Sequence, residues 1–243
     1  ELGLLSVLIP ELDDCRGVTQ PKEHFWDVLG HSINMPTAIG IITRDGSENI
    51  FGYDIISQVP WNIDMEDHFR AEFSDGASRA TILKIAGLLH DISKPSTKTF
   101  DKTKNKIRFI GHDKQGSKIS EGILRRLRFS NKAIEFVSVL VNQHLRPTQM
   151  SSSTNKPTDR AIYRYYRDLG ECAVDTLYLN LADYLSAKGA TKIEKDDWVR
   201  HCDLIKYIFE HRLNRKADNS EDKRLLNGDM LIQEFHIQPG PII

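Results

Sequence analysis

The feature that most constrains this chain is an apolar helical stretch ending on an adjacent histidine and aspartate. Ile82, Leu83, Ile85, Ala86, Leu88 and Leu89 recur at the spacing of a buried helical stripe, with Ser78 placed to cap its start. His90-Asp91 closes the stretch and Ile92-Ser93-Lys94-Pro95 follows at once. A carboxylate at a buried helix end is costly unless a cation or donor meets it. The sequence therefore calls for positive charge beside Asp91, and a metal ion is a candidate.

The rest of the chain also reads as nearly all helix. A short apolar segment from Leu2 to Ile9 is stopped by Pro10, and an amphipathic pattern over about 24–42 should be bent or broken at Pro36. Residues 45–77 read as loops with one short helix near Met65–Phe73. Thr97 to Ile110 alternates around Lys102-Thr103-Lys104-Asn105 as a short hairpin would. Helices are predicted at 112–128, 131–145, 158–168, 171–188 and 195–213, with Ser130 and Thr158 as N-caps. Met150–Pro157 reads as a loop, and 214–224 is polar enough for a linker before a last unit from Leu225 to Ile243. The expected organisation is one domain over 1–213, then a linker and a truncated helical segment over 214–243.

Cys15, Cys172 and Cys202 are odd in number and lack CxxC spacing, so neither a disulfide framework nor a zinc ribbon is implied, and reduced thiols in the cytoplasm are the simplest account. No apolar run approaches the length of a membrane span and no signal-peptide pattern opens the chain, so no membrane role is expected. Charge is unevenly placed. Residues 94–132 hold twelve basic side chains against Asp101, Asp113 and Glu121, whereas residues 41–80 hold three arginines against eight acids. A solvated helix face would explain this, and so would a phosphate-bearing ligand approaching from one side.

Other residues share the character of His90-Asp91. His31 lies mid-helix, His112 follows Gly111 at a helix start, His144 ends the apolar run through Val137, Val139, Leu140 and Val141, and Asp183 sits in Leu179-Asn180-Leu181-Ala182-Asp183-Tyr184. Singly, each has a structural explanation, because a lone inward histidine is more often a packed core residue than a ligand. In the order His, His-Asp, His, His, Asp they point to a site of imidazoles and carboxylates, which suits Fe, Mn, Co, Ni or Zn better than soft metals. His24 falls beside the set, while His68, His201, His211 and His236 read as surface or packing residues.

This pattern resembles the HD superfamily of metal-dependent phosphohydrolases. It is more similar still to the HD domain of bacterial tRNA nucleotidyltransferase/poly(A) polymerase proteins. The matching segments are Leu8-Ile9-Pro10-Glu11-Leu12, Arg16-Gly17-Val18-Thr19-Gln20, Asp27-Val28-Leu29-Gly30-His31, Leu88 to Pro95 and Phe109-Ile110-Gly111-His112-Asp113. They continue through Leu127-Arg128-Phe129-Ser130-Asn131, His144-Leu145-Arg146-Pro147, Leu226-Asn227-Gly228-Asp229 and Pro239-Gly240-Pro241. Ser93 stands where such proteins commonly carry glycine. No Gly-Ser pair with a following Asp-x-Asp precedes the HD segment, so the expectation is a chain that does not add nucleotides by itself, either a fragment or a trimmed member.

The resemblance implies an all-α fold, an HD-domain helical bundle with a short β-hairpin insertion. It implies a divalent transition metal (Fe, Mn, Ni, Co, Mg or Zn), as one or two ions. His31, His90, Asp91 and Asp183 would hold one, His112 and His144 the other, with Asp91 bridging. Lys94 and Arg146 are the candidate phosphate contacts, and Asp91 and Lys94 the catalytic pair. The function so implied is hydrolysis of nucleotide or RNA-end phosphates through a metal-activated hydroxide. Two alternatives use the same residues: a non-catalytic RNA-binding scaffold of a tRNA nucleotidyltransferase, with tRNA contact, and a di-iron oxygenase of small molecules.

Overall fold

The computed structural model describes residues 3–21, 24–151 and 156–218. The helices begin with α1 (Leu4–Leu8), a 3-10 turn (Pro10–Cys15), α2 (Val28–Ile42), α3 (Tyr53–Ile56) and α4 (Ile63–Arg70). A hairpin of β1 (Glu72–Ser74) and β2 (Ala77–Ser78) leads into α5 (Arg79–Leu89) and α6 (Lys94–Thr97). A second hairpin, β3 (Lys98–Asp101) and β4 (Lys106–Phe109), precedes α7 (His112–Arg126), α8 (Asn131–Gln143) and α9 (Arg146–Gln149). The order ends with α10 (Asp159–Leu169), α11 (Ala173–Lys188) and α12 (Lys195–Asp218). The fold is all-α with two small antiparallel hairpins.

Local chemistry sets several helix starts. Ser78, Ser130 and Thr158 accept from the backbone N–H of Thr81, Ala133 and Ala161, as their sequence positions predict. Asp27 caps α2 through Gly30 N at 2.7 Å and uses its other oxygen on Gly17 N, so this helix begins at Val28 and leaves Phe25 outside it. Pro36 does not break α2. Met35, Ala38 and Ile39 are fully buried around it, and that packing outweighs the hydrogen bond that the proline removes.

The segment 45–77 holds more structure than its composition suggests. Asp75 and Gly76 both take positive φ, the turn that a two-residue hairpin loop requires, and they join β1 to β2. One-turn helices α3, α6 and α9 are likewise additions to the sequence reading. At the other end, α12 runs on through Asp218 into the stretch read as a linker. The expected unit from Leu225 to Ile243 and part of the Met150–Pro157 loop lie outside the described residues.

The core forms where α2, α5, α8 and α11 pack together. α11 is buried continuously from Ala173 to Ala182, the mark of a central helix. Two glycines allow the approaches that matter for the site. A Cβ on Gly87 of α5 would meet Ile39 Cδ1 at 2.5 Å, so α2 and α5 close tightly one turn before His90. A Cβ on Gly116 of α7 would meet Val141, Ser93 and the His90 carbonyl at 3.3–3.5 Å, drawing α7, α8 and the end of α5 together. A buried ion pair, Arg79 with Asp175 at 2.8–3.0 Å, ties α5 to α11, and His68 stands 3.3 Å from the same carboxylate.

Candidate metal centre

All six residues singled out by their pattern meet at one place. His31 comes from the middle of α2, His90 and Asp91 from the end of α5, His112 from the first turn of α7, His144 from the end of α8 and Asp183 from α11. His31, His90, Asp91, His112 and His144 are buried, and Asp183 opens partly onto a cavity.

Asp91 divides the group in two. Its Oδ2 lies 3.1 Å from His90 Nε2 and 3.5 Å from His31 Nε2, and its Oδ1 lies 3.4 Å from His112 Nε2 and 4.0 Å from His144 Nε2. His31 Nε2 is 3.1 Å from His90 Nε2 and 3.1 Å from Asp183 Oδ1, which stands 3.6 Å from His90 Nε2. His112 and His144 Nε2 are 3.3 Å apart. Donors bonded at about 2.1 Å to one ion stand roughly 3.0–3.4 Å from each other in octahedral or tetrahedral shells. These separations fit two adjoining ion sites sharing Asp91.

The hydrogen bonds agree. His90, His112 and His144 each place Nδ1 against the carbonyl of the residue three before, Gly87, Phe109 and Val141, at 2.6–2.7 Å. A carbonyl only accepts, so Nδ1 carries the proton and Nε2 turns its lone pair inward. Neither Asp91 oxygen has a hydrogen-bonded donor among the described residues, although the Lys94 ammonium approaches Oδ2 at 2.6 Å as an ion-pair contact. A buried carboxylate facing four imidazole nitrogens in this way offers the donors that could hold a metal ion.

Electrostatics tighten the cluster. Burial opposes the charged form of His90, but Asp91 and Asp183 outweigh it and raise its pKa to about 10. Burial likewise opposes ionisation of Asp91 and Asp183, yet the neighbouring histidines, with Lys94 beside Asp91, hold both carboxyls well below their usual range. His144 is lowered to about 4 by burial and by the charge on His90. A proton on His90 Nε2 would occupy the lone pair that a metal takes, so the two would compete.

Three side chains to which the sequence assigned no such role hold the ligand backbones. Ser186 donates to the His31 carbonyl at 2.9 Å, Ser93 to that of His112 at 2.6 Å and Asn180 to that of His144 at 3.0 Å. Asn180 carried a signal, a polar residue inside an apolar run; the serines carried none. Ser93, small as glycine would be, does not disturb the cluster and adds a contact to α7.

The cluster floors a cavity of about 790 Å³ lined by Gln20, His24, Lys94, Leu145 and one side of the β3–β4 hairpin, among others. Lys94 is buried, bonded to Gln20 Oε1 at 2.7 Å, and faces this space. Arg146 does not line the cavity. It pairs with Asp168 at 2.7 Å and lies over Tyr165, contacts that suit a structural salt bridge. The basic run also divides. Lys106 and Arg108 border the cavity, but Arg126 grips Glu11 and Lys132 lies against Phe73 elsewhere.

A family model described as the HD domain matches residues 65–188 of the 243. The chain belongs to the HD domain family. Five of the six clustered residues fall inside the matched stretch and His31 precedes it. This HD domain is 28% identical over 162 residues to a CC-adding tRNA nucleotidyltransferase of Thermus thermophilus, covering 65% of this chain and 32% of that protein. An A-adding tRNA nucleotidyltransferase of Deinococcus radiodurans is 27% identical over 246 aligned positions, 99% of this chain and 45% of its own length. A CC-adding tRNA nucleotidyltransferase of Synechocystis is 28% identical over 131 residues, 52% of this chain and 26% of its own. The chain thus spans less than half the length of these relatives. The fold is of the metal-dependent phosphohydrolase type, and no described helix is long and apolar enough to cross a membrane.

Proposed function

We propose that this HD domain is a cytoplasmic metal-dependent phosphohydrolase acting on nucleotide or RNA-end phosphates, either phosphomonoesters or 2′,3′-cyclic phosphodiesters. The observation that carries the reading is the division of Asp91, whose two oxygens face separate histidine pairs on the floor of an open cavity. His31, His90, Asp91 and Asp183 would hold one ion, and Asp91, His112 and His144 another. Bound there, divalent ions supply Lewis acidity and a nucleophile at neutral pH. The protein's own part is orientation and charge. The Nδ1–carbonyl bonds fix each imidazole, and Lys94, held by Gln20, offers an ammonium to a phosphate entering the cavity.

The test is turnover of p-nitrophenyl phosphate, 2′,3′-cyclic AMP and 3′-phosphorylated RNA by protein of measured metal content. Hydrolysis that disappears in Asp91→Ala supports the reading. No hydrolysis of any of them at full metal occupancy overturns it.

One observation favours a second reading. The similarity to an A-adding tRNA nucleotidyltransferase runs over nearly the whole chain. On that reading the domain is a tRNA-binding scaffold whose metal ties helices together. Salt-dependent tRNA binding without hydrolysis would select it.

A further inference from the structure

We propose that the inner face of the β3–β4 hairpin is a platform for an unpaired nucleobase, so that this site selects nucleoside phosphates over phosphate esters lacking a base. The inference rests on the phosphate-binding reading of the site and names what lies beyond the phosphate.

Register places the residues. Phe100 pairs with Ile107 and Lys98 with Phe109, so Phe100, Ile107 and Phe109 share one face of the ribbon. That face looks into the site, because the Lys94 ammonium stands 5.3 Å from the centre of the Phe109 ring and all three apolar residues line the cavity. The opposite face carries Asp101 and Arg108, closed on each other by an ion pair at 2.8 Å. At the turn, the Asp101 carboxylate accepts from Thr103 and Lys104 N–H, which keeps the ribbon in shape.

The face is apolar and open. Phe100 is 57% exposed and Ile110, the next cavity-lining residue past the strand, is 73% exposed. Exposed apolar side chains scattered singly need no explanation, but these share a wall with a cation-binding cluster. The cavity, about 790 Å³, is far larger than a phosphoryl group requires. Lys94 borders it beside Phe109, and Lys106 reaches its rim from the ribbon's other face, so the remaining space is an aromatic and aliphatic surface with cations at its edges. A planar, electron-rich base joined to a phosphate matches that combination, whereas a purely aliphatic group would leave the cations unused.

The platform and the metal ligands are held in one frame. The Phe109 carbonyl, at the end of β4, accepts from Nδ1 of His112 at 2.6 Å. A base resting on the hairpin would therefore stand at a fixed distance from the phosphate site, which is how a binding wall selects one end of a substrate.

The experiment is calorimetric binding of two non-hydrolysable ligands to the metal-loaded protein: adenosine 5′-methylenephosphonate and the corresponding ribose phosphonate without a base. The expected result is tighter binding of the nucleoside compound by roughly tenfold or more, the scale of one base–aromatic stack. Phe100→Ala should remove that preference and leave the ribose compound unchanged, and Phe100→Trp should keep it. Because Phe100 is largely exposed, the alanine variant keeps the core intact. Equal affinity for the two ligands overturns the platform, and so does a preference that Phe100→Ala leaves in place. A base preference without hydrolysis of any phosphate ester supports the platform while overturning the phosphohydrolase reading, so the two fail separately.

Discussion

The Lys94 ammonium lies 2.6 Å from Oδ2 of Asp91, the same oxygen that faces His31 and His90. A lysine and a divalent ion repel each other at one oxygen, and the ion has the histidines in addition. On the proposed reading, a bound ion would displace Lys94 towards the cavity, where its charge would meet the phosphate of a substrate.

Lys94→Ala should keep the metal, with affinity equal to or above that of the wild type, and lower kcat/KM by about 10²–10³, the usual loss for one electrostatic contact to a reacting group. Metal content by plasma mass spectrometry and turnover, measured on the same preparation, check both halves. A variant that loses metal along with activity would make Lys94 a support for Asp91 only.

Metal stoichiometry tests the division of Asp91. Wild type loaded with Mn should carry about two ions per chain, His144→Ala about one and Asp91→Ala close to none, because a bridging carboxylate serves both shells. A wild-type value near one that His144→Ala does not change would make His112 and His144 substrate contacts.

How much of this was legible follows from what each feature depends on. His90-Asp91 could be read from a single segment, since a buried carboxylate closing an apolar helix demands a partner wherever it folds. The gathering of His31, His112 and His144 around His90 depends on close helix approaches at Gly87 and Gly116, which periodicity does not encode. The Asp75-Gly76 turn was a local signal overlooked within a polar stretch. Pro36 misled because tertiary burial overrode its local cost. The nearness of Arg146 to His144 in sequence says nothing of its direction, and the structure pairs it with Asp168 on another helix.

Arg79 and Asp175 are buried and bidentate, so removing one member strands the other. Asp175→Ala should cost about 3–5 kcal/mol of unfolding free energy, the range for a broken buried pair. Urea denaturation followed by circular dichroism measures it. Below the transition the variant should still take up metal, since the pair joins α5 to α11 without touching the ligands. A loss under about 1 kcal/mol, the level of a surface pair, would show the interaction to be dispensable.

The cysteines give the last prediction. Cys15 and Cys172 are buried, and burial, reinforced by nearby carboxylates, pushes each thiol up to about 12 from an ordinary value of 9.0. The folded state therefore holds these protons at pH values where the unfolded chain releases them. Their contribution to stability is complete below pH 9 and is lost as pH rises from 9 towards 12. Unfolding free energy should fall from pH 9 upward, and the fall should be shallower in Cys15→Ala/Cys172→Ala, whatever the cavity cost of that variant at pH 7. At pH 8 the native protein should resist a thiol-reactive disulfide reagent that labels it fully in urea. An alkaline slope identical in the double variant, or rapid native labelling at pH 8, would show that these thiols ionise as freely as in the unfolded chain.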